Sequence, residues 1–335
     1  MVKIILSIVV LVISLNANEV NIYSHRHYPS DEILFKKFTE KTGIKVNVVK
    51  ANADQIMKRL EEEGKYSPAD LLLTVDVGRL YYAKEKGLLQ PIKSKFLEEV
   101  IPSNLRDKEG YWFGVTKRAR VIVYNVNTVD PKSLSTYEAL SSKEYKGSIL
   151  TRSSTNIYNQ SLLASIIAHK GEKEAKAWAK GIKENFARKP TGSDRDQMRA
   201  LAAGIADIAI VNTYYVGNLL NSDKFSDREV AKNIGIFFPN QGENERGAHI
   251  NISGIGVTKY AKNRDNAIKF IEFLCSEESQ KVFSSLNYEY PVNKNVSPSK
   301  LLQSWGSFKE DDIELYKLGQ NNAKAVKIFN EVGWQ

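Results

Sequence analysis

VNIYSHRHYPSDEILFKKFTEKTGIKVNVV, residues 20–49, reads as a strand, a helix and a second strand in immediate succession. VNIY at 20–23 has strand character, 31–41 is an amphipathic helical stretch, and IKVNVV at 44–49 returns to strand. A further helix over 53–63, the strand DLLLT at 70–74 and a helix over 77–86 extend the series. Strands that alternate with helices in this way pair mainly in parallel, with helices covering both faces of the sheet. The same order restarts with GSILTR at 147–152, helices over 157–169, 172–185 and 194–203, and the strand ADIAIVN at 206–212.

Two long β-rich stretches lack helical periodicity: WFGVTKRARVIVYN at 112–125 and HINISGIGVT at 249–258. They stand where the chain passes from one α/β unit to the other and back, and are expected to be paired hinge strands. The predicted fold is therefore α/β, two doubly wound lobes joined by hinge strands. The expected boundaries are 18–120 for the first lobe, 121–250 for the second, and 251–335 for the hinge return and completion of the first. The polar C-terminal helical tail is expected to fold back onto that first lobe.

Residues 1–17 precede these units. A lysine at position 3, an apolar run from Ile4 to Ile13 broken only by Ser7, and Ala17 before polar residues have the three-part form of a cleavable export signal. The run is too short to span a bilayer, and no cysteine follows it to carry a lipid. The protein is expected in the periplasm. Cys275 is the single cysteine, so no internal disulfide forms and the core must supply the stability. The formal charge of +9 is spread over lysines interleaved with glutamates, as in KRLEEEGK, and no arginine block interleaved with aromatics marks a nucleic-acid surface.

In open α/β sheets, ligands bind beyond the carboxyl ends of the strands. Tyr28, with His27 beside it, follows the first strand; Tyr158 follows the 147–152 strand; Tyr214 and Tyr215 follow the 206–212 strand. Four phenols and an imidazole at matching positions suit a hard trivalent cation, because phenolate oxygen binds ferric iron strongly. Ser30, Asn156 and Thr213 are placed to cap the helices there, whose positive ends favour phenolate over phenol. Four phenolates exceed the charge of Fe3+ by one, so Arg26, Arg152, Arg118 and Arg120 are candidates to steady a phenolate or hold a small anion. A lone tyrosine after a strand, such as Tyr158, is more often a packed ring with a bonded hydroxyl, and Tyr81 and Tyr82 on a helix read as wall or surface residues; the recurrence in both units carries the reading. His25 and His169 read as structural or exposed, and His249 as part of the hinge.

The chain also resembles the periplasmic ferric-ion-binding proteins that feed bacterial iron ABC importers, within the type II periplasmic-binding-protein fold. The likeness runs from about residue 19 to the C-terminus. It rests on NIYSHRHYPSD at 21–31, ADLLLTVDVGRL at 69–80, VTKRARVIVYN at 115–125, TRSSTNIYNQSL at 151–162, DRDQMRALAAGIADIAIVNTYY at 194–215 and HINISGIGV at 249–257. The resemblance implies that His27, Tyr28, Tyr158, Tyr214 and Tyr215 face iron, with Arg118 able to hold a carbonate-type anion. It implies a monomeric carrier of ferric iron or small ferric chelates that serves an inner-membrane ABC permease. Two rivals stand beside it. The same fold binds organic ligands of the thiamine, polyamine or phosphonate type, in which the rings would stack. An exported enzyme is the other, although no GxSxG, HExxH, P-loop or paired-cysteine motif is present.

Overall fold

The computed structural model describes residues 18–26 and 28–335. The expected export signal, residues 1–17, and His27 lie outside the described residues. Among the described residues no helix is long and apolar enough to cross a membrane.

The chain opens with β1 (Glu19–Ser24), α1 (Pro29–Thr42), β2 (Lys45–Lys50), α2 (Ala53–Glu63), β3 (Leu71–Val75) and α3 (Val77–Glu85). β4 (Leu89–Gln90) and α4 (Lys95–Val100) lead to the long β5 (Phe113–Asn125). There follow β6 (Ile149–Leu150), α5 (Ile157–Glu184), α6 (Asp194–Ala202), β7 (Ile208–Asn212), α7 (Thr213–Leu220), α8 (Phe225–Lys232), β8 (Ile234–Phe237) and β9 (Ile250–Thr258). The C-terminal part holds α9 (Arg264–Leu274), α10 (Glu277–Val282), β10 (Tyr290–Pro291), α11 (Lys300–Ser304), α12 (Tyr316–Gln320) and α13 (Asn322–Val332). The two helices expected over 157–169 and 172–185 run on as α5, interrupted at Gly171, whose φ of 83° is a left-handed value that glycine adopts without steric cost.

The sheet order is β2-β1-β3-β9-β5-β7-β6. β1 pairs in parallel with β2 and β3, and β6 in parallel with β7, as the βα order requires. The two hinge strands depart from a mainly parallel sheet: β9 runs antiparallel to β3, and β5 antiparallel to β9, β7 and β8. β5 changes partner along its length. Phe113–Ala119 pairs with β9, whereas Arg120–Tyr124 pairs with β7, so one strand joins the two parallel halves.

Both faces of the central strands are buried, with the period of two that sheets impose, whereas β2 at the sheet edge is partly exposed. Val20, Ile22, Leu71, Leu73, Val121, Val123, Ala209 and Val211 point into one core cluster. On the opposite face, Tyr23 and Leu72 pack with α2 residues Ile56, Met57 and Leu60, while Ile122, Ile208 and Ile210 pack with α5. Cys275 is fully buried at the end of α9, with its thiol against the Gly114 carbonyl at 3.7 Å, a packing role as expected.

The last helix differs from the expectation of a tail returning to the first lobe. Ala325, Ile328 and Phe329 of α13 form an apolar stripe, and with Trp334 they pack into the cluster that holds Trp178 and Ile182 of α5. The i, i+3, i+4 spacing of those three residues overrides the polar average of the tail. Just before it, α12 lies between α3 and α5.

Candidate metal centre

Three helix starts converge at the carboxyl ends of β1, β6 and β7. Pro29 is the first residue of α1, which makes Tyr28 its cap residue; proline is pre-organised for that position because its missing N–H has no helical partner there. Asn156 caps α5 by accepting the Tyr158 N–H at 3.1 Å, as expected. The other two expected caps are displaced by a residue or two. Ser30 lies inside α1, and Thr213 is the first residue of α7, preceded at the cap position by Asn212, which makes no side-chain cap bond; the Thr213 hydroxyl accepts from Ala119 N at 3.3 Å. Tyr214 and Tyr215 therefore occupy the first turn of α7, directly after β7.

The structure brings the four predicted phenols together. Tyr158 Oη and Tyr214 Oη stand 3.2 Å apart, the Tyr28 and Tyr214 rings meet edge to face with centroids 6.2 Å apart, and the Tyr214 and Tyr215 centroids lie 4.2 Å apart. Tyr28 comes from the β1–α1 junction and the others from beyond β5, so the cleft between the two halves of the sheet is closed over them. Tyr214 is 1% exposed.

Three guanidiniums surround the Tyr158 ring: Arg118 at 5.4 Å, Arg152 at 5.6 Å and Arg120 at 5.8 Å from its centroid. Arg120 and Arg152 share the buried Asp194, at 2.6 and 3.1 Å, and Arg120 also donates to Asn159 Oδ1 at 2.8 Å and Asn212 Oδ1 at 3.2 Å. Arg118 is the less satisfied of the set. Both of its terminal nitrogens lack a hydrogen-bond partner, and its nearest carboxylate, Asp76, is 3.6 Å away. His249, at the start of the hinge strand, shares this pocket; burial pushes its imidazole down to about 3, so it is neutral.

Arg26 sits behind Tyr28, with its guanidinium 4.7 Å from that ring. It is fully buried, bonded to Asp31 at 3.0 Å, Glu289 at 3.3 Å and the Thr116 hydroxyl at 2.9 Å. Two carboxylates already neutralise it, which suits it to anchor the turn rather than hold a free anion. Arg26→Met is expected to lower stability by about 3–5 kcal/mol, because it leaves Asp31 and Glu289 buried without their cation. Chemical denaturation of the ion-free protein measures this; a loss within the error of the extrapolation would contradict it.

The electrostatics reverse one expectation. Burial first, and then Glu289 and Tyr158, raise the Tyr28 phenol well above its usual range, against the pull of Arg26. Burial followed by the neighbouring Tyr158, Tyr28 and Tyr215 does the same to Tyr214. Tyr215 is raised by burial, Tyr158 and Asp194. A helix N-terminus contributes about 0.3–1 kcal/mol in favour of an anion, which desolvation and crowding of several would-be anions outweigh. Without a cation these phenols keep their protons.

Sequence reasoning missed the polar frame around the phenols: Asp76, Asp194, Asn159, Asn212 and Asn251. For Asp76 a signal existed, since it follows the strand at 70–74 in the same topological position as the tyrosines. The expected exposed or structural roles fit elsewhere: Tyr82 is 44% exposed on α3, and His169 Nε2 lies 3.0 Å from Asp311.

The sequence pattern described as bacterial extracellular solute-binding protein matches residues 34–310. The chain is 51% identical over 317 residues to iron uptake protein A1 of Synechocystis sp., covering 95% of this chain and 88% of that one. It is similar to a solved Trichodesmium protein, IdiA or FutA, in complex with iron and citrate ligands, with a TM-score of 0.91 and 51% identity over 95% of this chain and 100% of that one. A ferric binding protein from Campylobacter jejuni superposes with a TM-score of 0.89 at 52% identity, over 94% of this chain and 100% of that one. With its mixed sheet, crossing strands and closed cleft, the chain belongs to the bacterial extracellular solute-binding proteins and groups there with the ferric-ion-binding proteins of the type II periplasmic-binding fold.

Proposed function

We propose that this protein is a periplasmic carrier, not an enzyme, that captures ferric iron between its two lobes and delivers it to an inner-membrane ABC permease. The lobes are taken as residues 18–120 with 251–335, and 121–250, with α13 an addition to the second. The donors are Tyr28, Tyr158, Tyr214 and Tyr215, with His27 as a neutral fifth. Arg118, Arg120 and Arg152 offset the excess negative charge of the phenolates, and Arg118, which lacks a close partner, is the one suited to a carbonate-type anion.

The observation that carries this reading is the 3.2 Å separation of Tyr158 Oη and Tyr214 Oη, with Tyr28 and Tyr215 beside them. Adjacent corners of an octahedron with metal–oxygen bonds of about 2.0–2.1 Å stand about 2.9 Å apart, so a small inward shift lets both oxygens bind one ion. A stacking site for an organic ligand needs open ring faces, whereas here the Tyr214 ring is buried against its neighbours.

The test is an absorbance scan with scattering in parallel. Ferric citrate added to the ion-free protein is expected to produce the broad visible band of ferric phenolate, with a smaller mean radius of gyration as the lobes close. A colourless protein that instead retains an organic cation or phosphonate would favour the rival cargo.

A further inference from the structure

Asp76, in the turn between β3 and α3, has φ 80° and ψ 125°, a backbone conformation that side-chain-bearing residues adopt only under strain. Such strain persists where the surroundings over-determine it. Here they do. Asp76 N donates to Ile252 O at 3.0 Å, and its fully buried carboxylate accepts from Gly78 N at 3.0 Å, Asn251 Nδ2 at 2.9 Å and Ser161 Oγ at 2.8 and 2.9 Å. Capping α3 needs only the Gly78 bond, which a serine or asparagine side chain also supplies. The bonds to Asn251 on β9 and Ser161 on α5 are therefore unexplained by the turn itself.

Ser161 lies three residues after Tyr158, on the same face of α5. The Asp76–Ser161 contact thus ties the helix face that carries Tyr158 to the β3–α3 turn, across the cleft from it in the chain order. The Arg118 guanidinium, 3.6 Å from the same carboxylate, lies over the Tyr158 ring. We infer that Asp76 is a positioning residue: a buried pin that sets Tyr158 against the opposite lobe and holds the cleft closed, acting through Ser161. The inference rests on the proposed iron-carrier reading for its consequence and on the hydrogen bonds for its geometry.

Two variants test it, and Ser161→Ala leaves every buried charge in place, so it decides the case if Asp76→Gly lowers stability. Ser161→Ala removes only the hydroxyl that crosses the cleft. Asp76→Gly removes the carboxylate and relieves the positive φ. Each ferric variant is expected to release iron to a competing chelator about 10-fold faster, since a hydrogen bond to a charged group is lost. The visible band should keep its wild-type maximum, because the ligands are unchanged, and the ion-free variants should show a larger mean radius of gyration. The double variant should release iron no faster than Asp76→Gly alone. Wild-type release and wild-type scattering for Ser161→Ala would overturn the pin, as would a lowered melting temperature with both of those unaltered. If the wild-type protein takes up no ferric iron, the carrier reading fails, and the scattering of the ion-free variants alone decides the pin.

Discussion

Tyr214→Phe or Tyr215→Phe is expected to cut iron retention by about 100-fold or more and to shift the visible band strongly, while the protein stays folded. Both rings hang from the first turn of α7, immediately after β7, so in the proposed ligand set one rigid junction would aim two donors at the ion. Phenylalanine preserves the ring contacts, with centroids at 4.2 Å between the pair and 6.2 Å to Tyr28, and removes only the oxygen. Tyr158→Phe should have a clear but smaller effect, since its phenol stands alone on the first turn of α5 whereas Tyr214 and Tyr215 share one helix start. In the proposed set His27 is a neutral donor that water or an anion would replace, so His27→Ala should leave a coloured, weaker complex. Transfer to a competing chelator and the band position decide the order. Three Tyr→Phe proteins that keep wild-type colour and retention while folded would sink the tyrosine assignment.

Acid should release the iron well before it unfolds the chain. The phenols of Tyr28, Tyr214 and Tyr215 are raised by burial and mutual crowding, so the ion-free protein carries them protonated across the whole range below about pH 10. Binding a trivalent ion then expels a proton from each phenol that becomes a ligand. The sign follows directly: falling pH supplies the competing proton, and affinity drops by about one decade per phenolate for each pH unit. The same pKa direction gives no folding penalty in acid, because the neutral phenol is the form the folded chain already prefers. Mixing ferric citrate with the ion-free protein in weak buffer should acidify the solution, and the visible band should fade on acidification with the far-ultraviolet signal intact. A band that survives strong acid in a folded protein would mean that carboxylates carry the metal.

Much of this molecule is written in short-range pattern. The alternation of strand and helix over 20–86 and again over 147–212, the helix break at Gly171 and the start of α1 at Pro29 all follow from spacing and backbone preference among near neighbours. So does the recurrence of tyrosine beyond strand ends, because a strand followed by a helix in a parallel unit leaves that junction at one edge of the sheet.

The tertiary structure alone decided the features that depend on residues far apart in the chain. β5 serves β9 with one half and β7 with the other, which no local periodicity distinguishes. α13 joins the α5 cluster because an apolar stripe found a complementary surface about 150 residues earlier in the chain, whereas its average polarity suggested only a solvated tail. Arg118, Arg120 and Arg152 read alike in sequence, yet two of them share Asp194 and the third does not. The proton state of the phenols was decided in the same way, and against the local signal. A helix terminus is a property of neighbouring residues and favours the anion, but desolvation and the approach of other phenols are properties of the closed cleft, and they are the larger effect. Asp76 and Ser161, 85 positions apart, meet only when the whole sheet has formed.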